Sequence, residues 1–195
     1  MLNQAILRRF QSLLDAAKRS SDPEPTAMSV ATLGDDGRVS SRMVLLKSID
    51  ERGLYFFTHY DSDKGRQIEV HSQVALTLLW KQVQPPAQVR IEGRAEKISA
   101  QESDEYFASR ARLSQIGAWA SRQSQTLPDR ATLEERVARR MREFEGREVP
   151  RPPQWGGYRV VPDMVEFWYG HEHRLNERVC WELLDGEWTK RLLYP

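Results

Sequence analysis

The spacing of apolar residues changes along this chain, and each change marks an element. Ile6, Phe10, Leu13, Leu14 and Ala17 recur at helical intervals, so the segment up to about residue 19 is predicted to be a helix with one stripe against a core. Ser20 to Pro25 (SSDPEP) ends it, because proline lacks a donor and restricts its predecessor. Strand-like runs follow: Met28 to Leu33, Met43 to Lys47, Leu54 to Thr58 and Val74 to Trp80. The tetrads Gly34-Asp35-Asp36-Gly37 and Asp50-Glu51-Arg52-Gly53 carry turn chemistry, which predicts a meander of hairpins. From Val89 to Glu96 the alternation is strict. Val89, Ile91, Gly93 and Ala95 share one face, while Arg90, Glu92, Arg94 and Glu96 share the other.

Helical patterns interrupt and follow these strands. Asp63 to Val70 is one short helical segment, and Ser99 three residues before Glu102 is a capping box opening another toward Tyr106. Leu133, Val137, Met141 and Phe144 line one face of a charged helix that Gly146 ends. Beyond the VPRPP stretch, strands are predicted at Tyr158 to Val161, Val165 to Tyr169, Val179 to Leu184 and, after the Asp185-Gly186 turn, Trp188 to Leu193. Half-buried antiparallel strands without β-α-β alternation predict a mostly β (α+β) fold, a barrel or sandwich with peripheral helices. The whole chain, 1–195, is expected to be one domain, with 1–19 as the N-terminal helix and 20–195 carrying the strands and remaining helices.

Composition narrows the partners. Lys and Arg total 29 against 28 Asp and Glu, a net charge of +1, so there is no basic excess for nucleic acid. The Arg residues of 130–142 also interleave with Glu134, Glu135 and Glu143. Cys180 is the one cysteine, which excludes an intrachain disulfide and a Cys-rich zinc site, and no metal is expected. No apolar run approaches the roughly 20 residues of a membrane span. The N-terminus is charged every few residues and lacks a signal-peptide core, so the chain is expected to be cytoplasmic, away from any membrane.

There is no Walker A loop, no G-x-G-x-x-G after a strand, no H-E-x-x-H and no G-x-S-x-G. A phosphorylated ligand would therefore be held by side chains. Arg42 and Lys47 bracket Met43, Val44, Leu45 and Leu46; five apart on a strand, they face opposite ways and can meet different anions, or simply bracket a buried strand. Ser62-Asp63-Lys64 opens a helix where free N–H groups and an ammonium favour phosphate, although Ser or Asp there is also an ordinary cap. Tyr106, Arg110 and Ser114 fall at i, i+4 and i+8, one face if helical, and two hydroxyls with a guanidinium suit a phosphate monoester as well as a solvated surface. The run Glu166 to Arg178 adds aromatic bulk, Arg174 and Arg178; its His171 and His173 lack a third metal ligand at standard spacing.

The strings RMVLLK (42–47), QVRIEGRAEK (88–97), YFASRARLSQIGAWASRQSQ (106–125), VPRPPQWGGYRV (149–160) and VEFWYGHEHRLNERVCW (165–181), collinear from about residue 23 to the terminal LLYP, resemble the pyridoxamine/pyridoxine 5′-phosphate oxidases. The resemblance implies an antiparallel split β-barrel of the FMN-binding type and a homodimer with FMN at the subunit interface. It implies oxidation of pyridoxamine and pyridoxine 5′-phosphate to pyridoxal 5′-phosphate, with O2 as acceptor and H2O2 released. Arg42 to Lys47, Phe57, Thr58, Asp63, Lys64, Gln88, Gln123, Ser124, Trp168 and Arg178 match the positions that hold FMN, some of them supplied by the partner subunit. Lys47, Tyr106, Arg110 and Ser114 match the cradle for the substrate phosphate, while Arg174 and Asn176 match the active-site pair beside the pyridine ring.

Three departures stand out. Asn176 replaces the family histidine, and an amide cannot titrate, which puts a proton-transfer role there in doubt. Asp63 stands where a basic residue usually helps hold the FMN phosphate, and a carboxylate there weakens binding unless it turns away. Ala111 replaces a proline, a small loss of rigidity. Two rival readings go with these changes: a related flavin oxidase of the phenazine-biosynthesis type, and a non-catalytic FMN- or pyridoxal-phosphate-binding homologue.

Overall fold

Two residues, Leu46 and Lys47, decide the shape of the molecule. The computed structural model describes residues 1–195. Helix α1 (Gln4–Arg19) leads into β1 (Ala27–Leu33), β2 (Val39–Leu45), β3 (Ser48–Asp50) and β4 (Gly53–His59). Then come α2 (Asp63–Val70), β5 (Gln73–Trp80), β6 (Ala87–Lys97), α3 (Ala100–Ala108), α4 (Arg112–Ala120) and α5 (Arg130–Glu143). The strands β7 (Trp155–Tyr169), β8 (Glu177–Leu184) and β9 (Glu187–Leu193) finish the chain. The nine strands form one sheet in the order β2-β1-β5-β6-β7-β4-β3, with β8 and β9 continuing from β7, and every pairing is antiparallel. The path begins at β2 and ends at β3, yet only Leu46 and Lys47 separate these strands in sequence. A chain that short cannot span a flat sheet, so the sheet curls until its edges meet. Leu46 donates its N–H to Thr26 O at 2.9 Å and Lys47 to Tyr55 O at 2.8 Å, tying the seam to both sides. The result is the expected antiparallel split barrel with peripheral helices.

Strict alternation sends one face of each strand inward. Val30, Phe56, Leu76, Leu78, Val89, Ile91, Tyr158 and Val160 are each at most 1% exposed. Burying each such aliphatic or aromatic side chain contributes about 1.5–3 kcal/mol. Helix α1, capped by Asn3 accepting from Ala5 N–H, adds Ile6, Leu7, Phe10, Leu14 and Ala17 to the same core. Phe10 meets Trp80 edge-on with centroids 5.7 Å apart. Outside the barrel a smaller cluster of Phe107, Ile116, Ala118, Phe144, Val149 and Trp155 binds α3, α4 and the segment after α5 to the start of β7. No helix is long and apolar enough to cross a membrane.

Several local expectations change. β2 starts at Val39, because pairing with β1 in the register Leu33↔Val39 to Ala27↔Leu45 carries it through Ser40, Ser41 and Arg42. It ends before Lys47, so strand parity does not relate Arg42 to Lys47. β3 lacks any sequence signature, and the meander breaks where β1 turns to β5 and β4 to β7. The two strands predicted around Pro162 are one, β7; a bulge opposite Glu92/Gly93 accommodates the proline. Only Phe144 of the predicted α5 face is buried, while Met141 remains 48% exposed.

The largest local change lies between Tyr106 and Ser114. Helix α3 has the expected capping box, Ser99 with Glu102, but stops at Ala108. Ser109 Oγ donates to Tyr106 O at 2.7 Å, and the buried Gln115 of α4 reaches back to donate to Phe107 O at 3.0 Å and Ala108 O at 3.2 Å. Gln115 thereby satisfies the carbonyls that end α3, so the break is a built corner. Ala111 begins α4 with φ −54° and ψ 138° and no side-chain cap. That φ is within proline's range. Ala111→Pro is therefore expected to stabilise the fold by about 0.4–1 kcal/mol, a melting rise of about 1–4 °C by calorimetry; a lower melting point would show that this corner needs freedom that proline denies.

Candidate active site

A cavity of about 710 Å³ lies between the seam of the barrel and the outer helices. The seam supplies Met43, Val44, Leu45 and Lys47; β4 supplies Phe57, Thr58 and His59; α2 supplies Lys64. Across it, the α3–α4 corner supplies Tyr106, Arg110, Ala111 and Ser114, the turn after α4 supplies Gln123, and the first residue of β7, Trp155, completes the wall. Tyr106, Arg110 and Ser114 thus converge as expected, but from two helices and the corner joining them rather than from one helix face.

On the β4–α2 side the centre is Lys64, whose side chain is buried. Its Nζ donates to Thr58 Oγ1 at 3.1 Å, Gln123 Oε1 at 3.0 Å and Ser62 Oγ at 3.3 Å, all neutral oxygens. Burial, with the nearby Arg42 guanidinium, pulls its pKa down from the ordinary lysine value to about 8. Ser62 caps α2 by accepting from Gly65 N–H. The Asp63 carboxylate turns outward to Arg66, with Oδ1 2.5 Å from Nη2, while its N–H donates to Ser124 Oγ at 3.2 Å. Ser124 holds a left-handed φ of 72°, strained for a residue with a Cβ. A buried ammonium, hydroxyls and a helix N-terminus with its own carboxylate turned away suit a phosphate group.

On the α3–α4 side the centre is Arg110. Its guanidinium lies 4.6 Å from the Trp155 ring centroid, and Nη1 is buried with no hydrogen-bond partner. Burial lowers its pKa from the ordinary arginine value. No carboxylate pairs with it, so its charge remains available to an anion.

The other expected residues lie off this cavity wall. Arg42 sits behind the Lys64 side, donating to Thr32 Oγ1, to Gln67 Oε1 at 3.2 Å and to Val30 O at 3.4 Å. Leu46 is buried in the barrel core. Gln88, Trp168 and Arg178 form a row across β6, β7 and β8. Arg178 is bound by the buried Glu166 carboxylate, with Nε to Oε1 at 2.7 Å and Nη2 to Oε2 at 3.1 Å. Arg174 is exposed in a 3-10 turn, where it and His173 both hold left-handed φ values of 62° and 55°. Asn176 Oδ1 accepts from His171 N–H at 3.1 Å, closing that loop. Sequence reasoning passed over Trp155 and His59. His59 is buried, its pKa lowered by burial, and its Nδ1 stands 3.9 Å from Asp61 Oδ1 with neither atom hydrogen-bonded. Gly157 lies beside this wall, where a Cβ would crowd Ile98 and come within 2.8 Å of Phe57 Cε1.

Fold and cavity together define a split β-barrel with a buried lysine and a half-buried arginine facing one anion-receptive space. The chain belongs to the pyridoxamine 5′-phosphate oxidase family: residues 14–140 match that family's model, and 155–195 match the pyridoxine 5′-phosphate oxidase C-terminal dimerisation region. It is 54% identical over 191 residues, 97% of this chain and 96% of the relative, to the pyridoxine/pyridoxamine 5′-phosphate oxidase of Xanthomonas euvesicatoria pv. vesicatoria. Among solved structures it is similar to PhzG from Burkholderia lata 383 in complex with tetrahydrophenazine-1-carboxylic acid, with TM-score 0.88 and 34% identity over 98% of this chain and 91% of that one. It shares its fold with a pyridoxamine 5′-phosphate oxidase-related, FMN binding protein from Nostoc punctiforme, at TM-score 0.74 and 15% identity over 95% and 96% of the two chains.

The depressed Lys64 pKa sets a pH window. Without an anion the ammonium is complete only below about pH 8, so phosphate affinity on this side falls as pH rises through that value. The same depression costs the ligand-free fold stability below about pH 8, and the cost fades toward pH 10.5, where the unfolded lysine also deprotonates. Calorimetric titration with inorganic phosphate from about pH 7.5 to about 9.5 should show a loss of up to about tenfold per unit in the wild type and a flat profile in Lys64→Met. A flat wild-type profile would remove Lys64 from anion binding.

Proposed function

We propose that this protein is an FMN-dependent oxidase converting pyridoxamine and pyridoxine 5′-phosphate to pyridoxal 5′-phosphate, acting as a homodimer. The observation that carries the reading is the pair of cations lining one cavity, the buried Lys64 and the half-buried Arg110 with its Nη1 buried, neither hydrogen-bonded to a carboxylate. One seat suits the phosphate of a flavin mononucleotide and the other that of a phosphorylated substrate. FMN, when bound, supplies the two-electron oxidation, with O2 as final acceptor and H2O2 as by-product.

The protein's own residues bind and orient. Lys64, Thr58, Gln123 and Ser124, with Arg42 behind them, hold the cofactor phosphate, and the seam Met43 to Lys47 with Phe57 borders the flavin. Arg110, Tyr106, Ser114 and Lys47 hold the substrate phosphate, so that the carbon to be oxidised is placed by a rigid cradle. Gln88, Trp168, Arg174, Asn176 and Arg178 complete the site from the partner subunit. Two features support a dimeric site: these residues lie off this chain's cavity, within or beside the segment matching the dimerisation region, and Val39, Met43 and Leu45 are exposed along the β2 edge. PhzG, crystallised with a tricyclic acid, favours a second reading, a related oxidase acting on such a substrate.

Purified protein with excess FMN should form pyridoxal 5′-phosphate aerobically from pyridoxine 5′-phosphate over many turnovers. Arg110→Ala should raise KM by about 10- to 100-fold and lower kcat far less, since charge-assisted hydrogen bonds contribute about 1.5–3 kcal/mol. No product from flavin-loaded protein would shift the assignment to the tricyclic reading, and an unchanged KM would remove Arg110 from the cradle.

A further inference from the structure

Arg110 is held by rings rather than by an acid. Its guanidinium carbon is 4.6 Å from the Trp155 centroid and 5.5 Å from that of Phe107. Trp155 also belongs to a group of near-parallel rings. Its plane lies within 16° of Phe57 at 5.4 Å and within 4° of Tyr106 at 6.2 Å, and Phe57 lies 3.8 Å from Tyr106. Trp155 is itself buried and fixed from below by Phe107 at 5.1 Å. The Arg110 guanidinium thus rests on this indole, while the Tyr106 phenol stacks directly on Phe57 in the same group of rings.

The chemistry of the support matters. A carboxylate would orient Arg110 equally well, but it would neutralise the charge and occupy the N–H groups that an incoming anion needs. An aromatic face attracts the cation through its quadrupole, takes none of the guanidinium's in-plane donors and leaves the net charge at +1. That account fits the buried Nη1 left without a partner. We propose that Trp155 is a positioning residue for phosphate recognition, holding Arg110 in a fixed, un-neutralised arrangement for the phosphate of the substrate. The proposal rests on the assignment of Arg110 to an anion seat, and it does not depend on which phosphorylated molecule is the substrate.

Variants Trp155→Phe and Trp155→Leu, alone and combined with Arg110→Ala, test it in the flavin-loaded protein. The readouts are Kd by calorimetry for inorganic phosphate and for pyridoxine 5′-phosphate, the KM-against-kcat split, and the melting point. Trp155→Leu is expected to weaken both ligands about tenfold with kcat within about twofold, and Trp155→Phe, which keeps a π face, to restore most of the affinity. In the Arg110→Ala background, Trp155→Leu should add nothing further. An equal loss in both backgrounds, or unchanged phosphate affinity in folded Trp155→Leu, would overturn the proposal. If Trp155→Leu melts too low to assay, Trp155→Met, which fills more of the space without a π face, decides: a fall in affinity that vanishes with Arg110→Ala supports the role, and none refutes it. Failure of pyridoxine 5′-phosphate alone to bind, with the coupling intact for inorganic phosphate, would sink the substrate reading and leave this one standing.

Discussion

The two-residue link between β2 and β3 is the constraint on which the rest of the molecule depends. A sheet whose first and last strands are neighbours in sequence must close on itself, and closure places the seam residues against the end of β4. Leu46 points into the core and Lys47 lines the cavity, so one short connector both completes the barrel and forms a wall of the site. The outer helices then need only a ledge to pack on. Phe107, Ile116, Phe144 and Trp155 provide it, and the α3–α4 corner is carried to the mouth of the seam.

Electrostatics follow from that geometry. Burying a charge without a partner is costly, and proteins usually pair it with an acid. Here Asp63, the acid nearest in sequence to Lys64, turns to Arg66, while Arg110 meets aromatic faces. Stability is given up locally to keep two positive charges available, which is the expected pattern for sites that bind anions. The basic residue looked for at position 63 is thus absent without a carboxylate taking over the seat.

The C-terminal hairpin obeys the opposite rule. Glu166, 3% exposed, is shared by Arg90 at 2.9 Å and Arg178 at 2.7 Å, a closed ion network on the barrel wall. Either arginine can be lost with the other still holding the carboxylate, whereas losing both would leave a buried charge without a partner. This network fixes β8 to β7 beneath the loop that carries Arg174. Asn176 fixes the same loop from its far end, through an amide oxygen that an imidazole in this position would have to replace with a ring nitrogen.

The sequence by itself determined the elements and most of the chemistry. Periods of 3.6 and 2 placed α1 and β6 correctly because each has one buried face, and the capping box at Ser99 is local by nature. The residues of the cavity wall were legible through resemblance to a family, and through the pairing of hydroxyls with Arg110. Tertiary structure alone decided how they meet. β3 has three residues and no signature, β7 runs through a proline by means of a bulge, and the α3–α4 corner exists because Gln115 satisfies carbonyls seven and eight residues behind it. Trp155 and His59 were missed for the same reason: their part in the site comes from neighbours far apart in sequence. Periodicity reports which face of an element is buried. It carries no information on which other element buries it, and at this site that second fact sets the charge.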